Sequence, residues 1–357
     1  MLLSRAFRSL QQTGRVLRIA RPLAALGSSN SSSIIGIREM ATKFSRNKKK
    51  DAGKDSDRDK DRWVSRKTLA RRNPALGLDM PNIELVYGLL PVMTAIKQGR
   101  RDIHGLYIQS RYEGDLGRER LEEVVELAES MGVITQEVSR SSLDAVVANT
   151  VHQGVVLKTQ RFPSAKIREM GEFVDGQHQI TFSDDSVVAH QPRRKYPLWI
   201  FLEGIQDSHN LGSIIRSALY FGVDGIMLGG QKFCRPTPAV SKASAGAMEC
   251  MNIFKMTKVD RVLKNAKDVG WRVICTTTRS SATVSNVAVG DLGELNSPTV
   301  LVLGSEDMGI SEAVLDMSDI NVHISAQSET PSVLDSLNVN VAASILLAGL
   351  RMPKNAA

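Results

Sequence analysis

Short apolar runs alternate with amphipathic runs over two stretches of the chain, and this alternation predicts two α/β domains. The first covers residues 81–160, with strands expected at 83–87, 103–109, 133–138 and 154–157 and helices at 88–99, 116–131 and 143–148. The second covers residues 198–353, with strands expected at 198–203, 225–228, 251–255, 271–276, 299–303 and 320–324 and helices ending at Phe221 and spanning 238–247, 258–269, 310–316 and 337–351. Such alternation is typical of a parallel sheet covered by helices on both faces.

Two further stretches lack this periodicity. Residues 46–80 begin with a run in which Lys and Arg alternate with Asp, and they contain too few apolar side chains to fold alone. We expect a disordered charged linker there, with an auxiliary RNA-contacting arm as the alternative. Residues 161–197 show no clear period and end in a proline-bracketed basic run, which predicts an interdomain linker.

The N-terminal residues 1–45 are rich in arginine and serine. Arginine stands at positions 5, 8, 15, 18, 21 and 38, and Glu39 is the first acidic residue. Apolar residues lie between the arginines instead of forming one block, which is typical of a mitochondrial transit peptide and predicts a location in the matrix. A disordered basic arm is the alternative, and Met40 leaves open a shorter product.

The net charge of +8 is unevenly distributed along the chain. Residues 1–72 hold 19 Lys and Arg against 6 Asp and Glu, whereas the remaining residues hold 27 against 32. The folded part is therefore expected to be mildly acidic, so any electrostatic binding of nucleic acid must come from the N-terminal tail or from local basic clusters. The candidate clusters are Lys97, Arg100 and Arg101, and Arg193, Arg194 and Lys195.

Cysteine spacing and hydropathy exclude several classes of protein. Cys234, Cys250 and Cys275 lie far apart without a CxxC pair, so we expect neither a zinc site nor a disulfide framework, and no other metal cluster is evident. No stretch of 18 apolar residues occurs, so no membrane span is expected.

Three segments of the second domain place polar residues and glycines where a plain sheet would not need them. Residues 207–218, with Asn210 and Arg216, follow one apolar strand, and residues 301–310 end another in a glycine-bracketed acidic turn. Residues 336–343 open the last helix, with Ser336 placed as its N-cap. The carboxyl ends of strands are where ligands bind in open α/β sheets, so these segments are the candidate site.

In this order and at these separations, the three segments closely resemble the signature motifs of the SpoU (TrmH) group of the SPOUT superfamily, RNA 2'-O-ribose methyltransferases that use S-adenosyl-L-methionine. Tyr87-Gly88 and His152-Gln153-Gly154 are similar to marks of the small N-terminal domain of that family, so the resemblance covers roughly residues 82–353. It implies an α/β fold in which a small α/β substrate-binding domain precedes a trefoil-knotted parallel-sheet domain. It also implies a homodimer with its active site at the subunit interface. Alternation alone predicts an unknotted sheet, because knots are rare.

The resemblance assigns roles to particular residues of the second domain. The implied cofactor contacts are Gly304, Gly309, Ile324, Ser336 and Leu337, and the implied catalytic residues are Asn210, Arg216, Glu306 and Asn338. A guanidinium stays protonated and is a poor base, so Arg216 is expected to bind the phosphate beside the target ribose. Asn210 would position Arg216 or the ribose.

Glu306 would orient the substrate or an arginine of the other subunit, and Asn338 would order the cofactor loop. The segment 325–335 is several residues longer than in many family members, and Asp307 stands where glycine is usual. These departures leave the exact contacts of that loop open. His152 is open as well, because a capping role and an RNA contact fit the sequence equally.

The expected function is S-adenosyl-L-methionine-dependent methylation of the ribose 2'-hydroxyl of a guanosine in mitochondrial large-subunit ribosomal RNA. The target depends on the transit-like leader and on the longer loop. The alternatives are an organellar tRNA ribose methyltransferase and an rRNA-binding assembly factor that does not need catalysis. A nucleotide-dependent oxidoreductase would have a Gly-x-Gly-x-x-Gly turn after the first strand of its sheet, and glycines 222–230 stand in a different setting.

Overall fold

The computed structural model describes residues 82–110, 115–277, 284–325 and 336–351, which belong to one compact unit, Met80–Ala357. The expected transit peptide and charged linker lie outside the described residues, as do residues 326–335 of the longer loop. The trefoil knot stays a prediction. No helix in the described ranges is long and apolar enough to cross a membrane.

The N-terminal part contains a sheet of four strands in the order β1-β4-β2-β3. The strands are β1 Ile83–Tyr87, β2 Ile103–Gln109, β3 Thr135–Val138 and β4 Val155–Gln160, and the helices are α1 Leu89–Gln98, α2 Asp115–Ser130 and α3 Arg140–Val146. β4 runs antiparallel to β1 and β2, while β2 and β3 are parallel. Every element expected in this part is present, and most carry buried apolar residues, such as Leu89, Val92 and Ile96 of α1, although no residue of β3 is buried.

The larger sheet has ten strands in the order β12-β14-β11-β13-β8-β9-β10-β5-β6-β7. They are β5 Lys166–Met170, β6 His178–Phe182, β7 Val187–His190, β8 Leu198–Glu203, β9 Gly225–Gly229, β10 Ile253–Met256, β11 Arg272–Thr276, β12 Asn286–Ala288, β13 Thr299–Gly304 and β14 Ile320–His323. The helices are α4 Ser208–Tyr220, α5 Pro238–Ala243, α6 Ala247–Cys250, α7 Val259–Asp268, α8 Glu312–Leu315 and α9 Val339–Arg351. Pairing is parallel from β12 to β5, and β6 and β7 add antiparallel strands at one edge.

Helices cover both faces of this sheet, as the alternation predicted. Along β8, Ile200 belongs to the apolar cluster that includes residues of α4 and α9, while Phe201 belongs to the opposite cluster, which includes residues of α7. Successive side chains of a strand point to opposite faces, so a strand buried on both faces is apolar throughout. That continuous run is why the central strands were predictable.

Three predictions about secondary structure need correction. Residues 161–197 are more than a linker, because they contain β5, β6 and β7, and β5 joins the large sheet through β10. These strands show no apolar run, because β5 and β6 are only partly buried and no residue of the edge strand β7 is buried. The helix expected at 238–247 is two short helices, because Gly246, with φ of 85°, interrupts it. The short strand β12 was not predicted.

Candidate active site

The carboxyl ends of β8 and β13 lie side by side, because these two strands are parallel neighbours with Glu203 opposite Gly304. The segment after β8 leads into α4, whose N-cap is Asp207; its carboxylate accepts a hydrogen bond from the His209 amide at 2.7 Å. Asn210 therefore lies in the first turn of α4, next to the turn that follows β13.

The turn after β13 requires glycine at both ends. A Cβ atom at position 304 would lie 2.2 Å from the carbonyl carbon of Gly309, and Gly309 itself has φ of 68°. The Gly309 amide donates to the Ser305 carbonyl at 2.9 Å, which closes the turn. Gly304 is therefore needed because the backbone of Gly309 packs against it within the turn. The turn places Glu306 beside Asn210.

The last helix begins at the same place. Asn338 is its N-cap, because the Asn338 Oδ1 accepts a hydrogen bond from the Asn340 amide at 3.1 Å. The expectation of Ser336 as the cap was wrong by two residues, since helical backbone starts only at Val339. The Val339 amide donates to Glu306 Oε1 at 3.0 Å, so a carboxylate from another motif also caps this positive helix end.

Side chains of all three motifs form one hydrogen-bonded cluster. The Asn338 amide donates to Glu306 at 2.5 Å and to Asn210 Oδ1 at 3.1 Å. Asn210 Nδ2 faces Glu306 at 3.4 Å. Asn340 was not predicted; its amide lies 3.5 Å from Asn210 Oδ1 and 2.5 Å from Asn338 Oδ1. The two donors at Asn210 Oδ1 fix which way the Asn210 amide faces.

A cavity of about 190 Å³ opens at this cluster. Its walls are residues 204–207, Asn210, residues 305–307 and Val339. This volume is below the roughly 300–1,000 Å³ of a typical small-molecule site. The segment 326–335, which leads to the last helix, lies outside the described residues.

The structure does not bring every predicted site residue to this cluster. Arg216 is exposed and forms no ion pair with a described residue. It follows Asn210 by six residues of α4, a rotation of about 240° around the helix, so the two side chains leave different sides. Ile324 packs against the core cluster behind β14, while Ser336 and Leu337 are exposed.

Two arginines of one basic cluster proposed for RNA contact make internal contacts instead. Arg101 is 3% exposed, and its guanidinium binds Glu249 through two bonds of 2.9 Å and Glu84 through a third of 2.9 Å. Arg100 donates to the Met251 carbonyl at 2.6 Å. Both arginines join the four-stranded sheet to the α6 region, so they are not available to RNA, whereas Lys97 of the same cluster is exposed and lies 3.6 Å from Glu123. Arg193 and Lys195 are exposed.

His152 has a structural role in the described fold. It is 5% exposed, its Nδ1 accepts from the Gly154 amide at 3.0 Å, and its Nε2 lies 3.0 Å from Asp144. Both ring nitrogens are therefore occupied, which favours the capping role over an RNA contact. Gln153 lies at the adjoining surface, where its Oε1 accepts from Lys242 at 2.5 Å.

Comparison with known proteins agrees with this architecture. The "SpoU rRNA Methylase family" matches residues 197–348, and "RNA 2'-O ribose methyltransferase substrate binding" matches residues 85–165. Mitochondrial rRNA methyltransferase 1 of Homo sapiens is 33% identical over 74% of this chain and 71% of the human protein. The Saccharomyces cerevisiae protein of the same name is 30% identical over 75% of this chain and 70% of its own.

Solved structures share the fold. The AdoMet-bound rRNA methyltransferase from Sinorhizobium meliloti superimposes with a TM-score of 0.56 at 19% identity, over 80% of this chain and 91% of the other. An RNA 2'-O ribose methyltransferase gives 0.57 at 20% identity, over 80% and 93%. Fold and matched segments together define an RNA methyltransferase with an N-terminal substrate-binding region. The chain belongs to the SpoU rRNA methylase family.

Proposed function

We propose that this protein transfers a methyl group from S-adenosyl-L-methionine to the ribose 2'-hydroxyl of a guanosine in mitochondrial large-subunit ribosomal RNA. The observation that carries the proposal is the convergence of Asn210, Glu306 and Asn338 at the carboxyl ends of β8 and β13. Relatives from human and yeast that are named mitochondrial rRNA methyltransferase 1 support the organelle and the class of RNA.

The residues around the cavity suit this cofactor. It combines apolar and hydrogen-bonding parts with a sulfonium cation, and the walls offer backbone groups of the glycine turn, apolar Val339 and the carboxylate of Glu306. We assign Gly304, Gly309, Ile324, Ser336 and Leu337 to its binding surface. When bound, the cofactor supplies the electrophilic methyl group.

The chain's own residues then orient the acceptor. Methyl transfer is an in-line displacement, so the 2'-hydroxyl must be held near attack distance while its proton is removed. Asn210, fixed through its Oδ1, positions the ribose or the arginine. Arg216 holds the adjoining phosphate, and its positive charge favours the deprotonated hydroxyl. Glu306 and Asn338 keep the first turn of α9 in place against α4.

We further propose that the active enzyme is a homodimer. Tyr220 on α4 is 85% exposed, and Val341 and Ile345 on α9 are 43% and 37% exposed. The Ser217 and Ser344 hydroxyls lie 2.9 Å apart, so these outer helix faces are neighbours and form one apolar surface. Arg216 precedes Ser217 on α4, so its guanidinium would contact a subunit packed against this surface. In its own chain Arg216 does not reach the cluster of Asn210, Glu306 and Asn338.

The domain assignment stays part of the proposal. Residues 1–45 serve as the mitochondrial transit peptide, 46–80 as a charged linker, 81–160 as the RNA substrate-binding domain and 198–353 as the methyltransferase domain. Residues 161–197 connect the last two and also supply edge strands. The location is the mitochondrial matrix.

Depletion in cells followed by mapping of ribose methylation tests the function. Loss of one 2'-O-methyl guanosine in organellar large-subunit rRNA is expected. Loss confined to tRNA would replace the proposal by a tRNA enzyme. Unchanged methylation in both would exclude it, and full rescue of a ribosome-assembly defect by Arg216→Ala would favour a binding factor without essential catalysis.

A further inference from the structure

Three basic side chains from distant parts of the sequence lie close enough for two of them to act electrostatically on the third. They are Lys166 of β5, Lys255 of β10 and Arg235 in the segment between β9 and α5. Lys255 and Lys166 are register partners on parallel strands, so they lie on one face, about 5 Å apart at the backbone. Ile253, two residues before Lys255, belongs to the cluster under α4, which fixes the face.

No acidic residue of the described chain pairs with these three cations. The nearby Asp185 is engaged by Arg168, and Asp184 accepts from Ser186 at 2.6 Å. The pKa of Lys255 is lowered, first by burial and then by the positive charges of Arg235 and Lys166. Among the described residues, both charged groups that lower the pKa of Lys255 are cations.

This arrangement costs the free protein stability. Like charges placed opposite each other on neighbouring strands repel. The folded part carries more acidic than basic residues, so a surplus of positive charge is not a general property of its surface. An anion bound across the three side chains would remove the repulsion and gain charge-assisted hydrogen bonds.

The three cations begin beside the cavity. The Cys234 amide donates to the Ile205 carbonyl at 2.7 Å, and Ile205 lines the cavity wall. Arg235 is the next residue, and from it the positive charge continues across β10 to β5. A strand of nucleic acid that leaves the cavity along this face would meet Arg235 first, then Lys255 and Lys166.

We propose that Arg235, Lys255 and Lys166, the cation row, bind consecutive phosphates of the RNA strand that flanks the target nucleotide. This inference rests on the proposed function for the identity of the polyanion. Phosphate contacts carry no sequence information but fix register and orientation, so the row would hold the strand while the cavity selects the ribose.

Binding of a labelled single-stranded RNA of about 20 nucleotides, measured with the full chain at several salt concentrations, tests the row. Each lost phosphate contact lowers the salt slope of log K for single-stranded nucleic acid by about 0.7. The double variant Lys166→Gln/Lys255→Gln is therefore expected to lower the slope by about 1.4 and low-salt affinity by about tenfold or more. Arg235→Gln should lower the slope by about half as much.

Lys264→Gln is the matched control. Lys264 is an exposed lysine of α7 on the opposite face, with no ion pair to a described residue, and its replacement removes one positive charge, as Arg235→Gln does. Binding with Lys264→Gln should follow the wild type. Equal losses in the control and the row variants would reduce the effect to net charge and overturn the proposal, as would an unchanged slope in the row variants.

Two further measurements distinguish loss of RNA binding by the cation row from loss of folding and from failure of the proposed function. Lys255→Gln should unfold at the same temperature as the wild type or higher, because repulsion is relieved; a lower temperature together with weaker binding would indicate a structural role. S-adenosyl-L-methionine binding, followed by calorimetry, should be equal in all variants. Absence of RNA methylation by the wild type would refute the proposed function, whereas methylation with unaltered salt slopes in the variants would refute the cation row alone.

Discussion

The side-chain amide of Asn338 donates to the carboxylate of Glu306 at 2.5 Å, and this contact joins the turn after β13 to the first turn of the last helix. The two residues belong to different elements of the fold. Glu306 also accepts a hydrogen bond from the Val339 amide at 3.0 Å. One carboxylate thus holds the N-terminus of α9 against the sheet, at the edge of the cavity.

Glu306→Gln should destabilise the fold by about 1 kcal/mol, because it removes a negative charge from a helix N-terminus and weakens a charge-assisted hydrogen bond. Urea unfolding measures the change. Asp307→Asn, which alters the neighbouring exposed carboxylate, should leave the unfolding midpoint unchanged. If both variants unfold alike, Glu306 does not anchor α9.

Asn340→Ala should lower kcat of methylation by about tenfold, because one of the two donors that fix the Asn210 amide is lost. The Kd for the cofactor should change less, since Asn340 reaches the cluster through Asn210 and Asn338. Asn286→Ala, an exposed asparagine on the edge strand β12, is the control and should be neutral. Equal kcat for Asn340→Ala and wild type would contradict this positioning role.

Arg216→Ala should abolish most turnover, by about a hundredfold or more, because it removes the charge proposed to hold the phosphate. Arg216→Lys should recover only part, because a lysine cannot form the bidentate contact. Arg216 is exposed, so unfolding temperatures should match the wild type. Near wild-type methylation by a folded Arg216→Ala protein would end the assignment.

Arg101→Met should destabilise the protein by about 3–5 kcal/mol, because it leaves the buried Glu249 carboxylate without its cation. A second change, Glu249→Met, should restore part of that loss in a double-mutant cycle. Arg118→Met removes an exposed pair with Glu122 and should cost less than about 0.5 kcal/mol. Additive effects of the two buried changes would show that the pair is not coupled.

His178 should make the fold sensitive to acid. Burial, together with the nearby His190, lowers the pKa of His178 from 6.5 to about 3, so the unfolded chain binds its proton more readily. The stability due to the neutral ring is complete above pH 6.5 and is lost as pH falls towards 3.

The free energy of unfolding of His178→Phe, measured with urea relative to wild type, should therefore be about 2 kcal/mol larger at pH 5 than at pH 7.5. Comparing the two pH values cancels any packing change in the substitution. His209→Gln, which alters an exposed histidine, should give no such difference. A pH-independent effect of His178→Phe would mean that His178 does not stay neutral in the fold.

Apolar patterning predicted the elements that are buried on at least one face. The run 198–203 is apolar because β8 lies between two helix layers, and it was placed with its observed bounds. The strands β5 to β7 were missed because β5 and β6 are only partly buried and no residue of the edge strand β7 is buried, so none shows an apolar run. The motif resemblance singled out Asn210, Glu306 and Asn338, which the structure joins by hydrogen bonds, but it gave no signal for Asn340 beyond the repeated Asn-x-Asn in the first turn of α9.

The charged residues show most clearly what the sequence could not predict. The sequence by itself determined the alternating elements, the family and the excess of acidic residues in the folded part. Only the tertiary structure decided the surroundings of each cation: adjacent Arg100 and Arg101 make contacts inside the protein, whereas Lys166 and Lys255 meet through strand pairing. The physical reason is that the neighbours of a charged side chain in space determine whether it can bind a ligand. Parallel strand pairing brings together residues that lie far apart in the sequence.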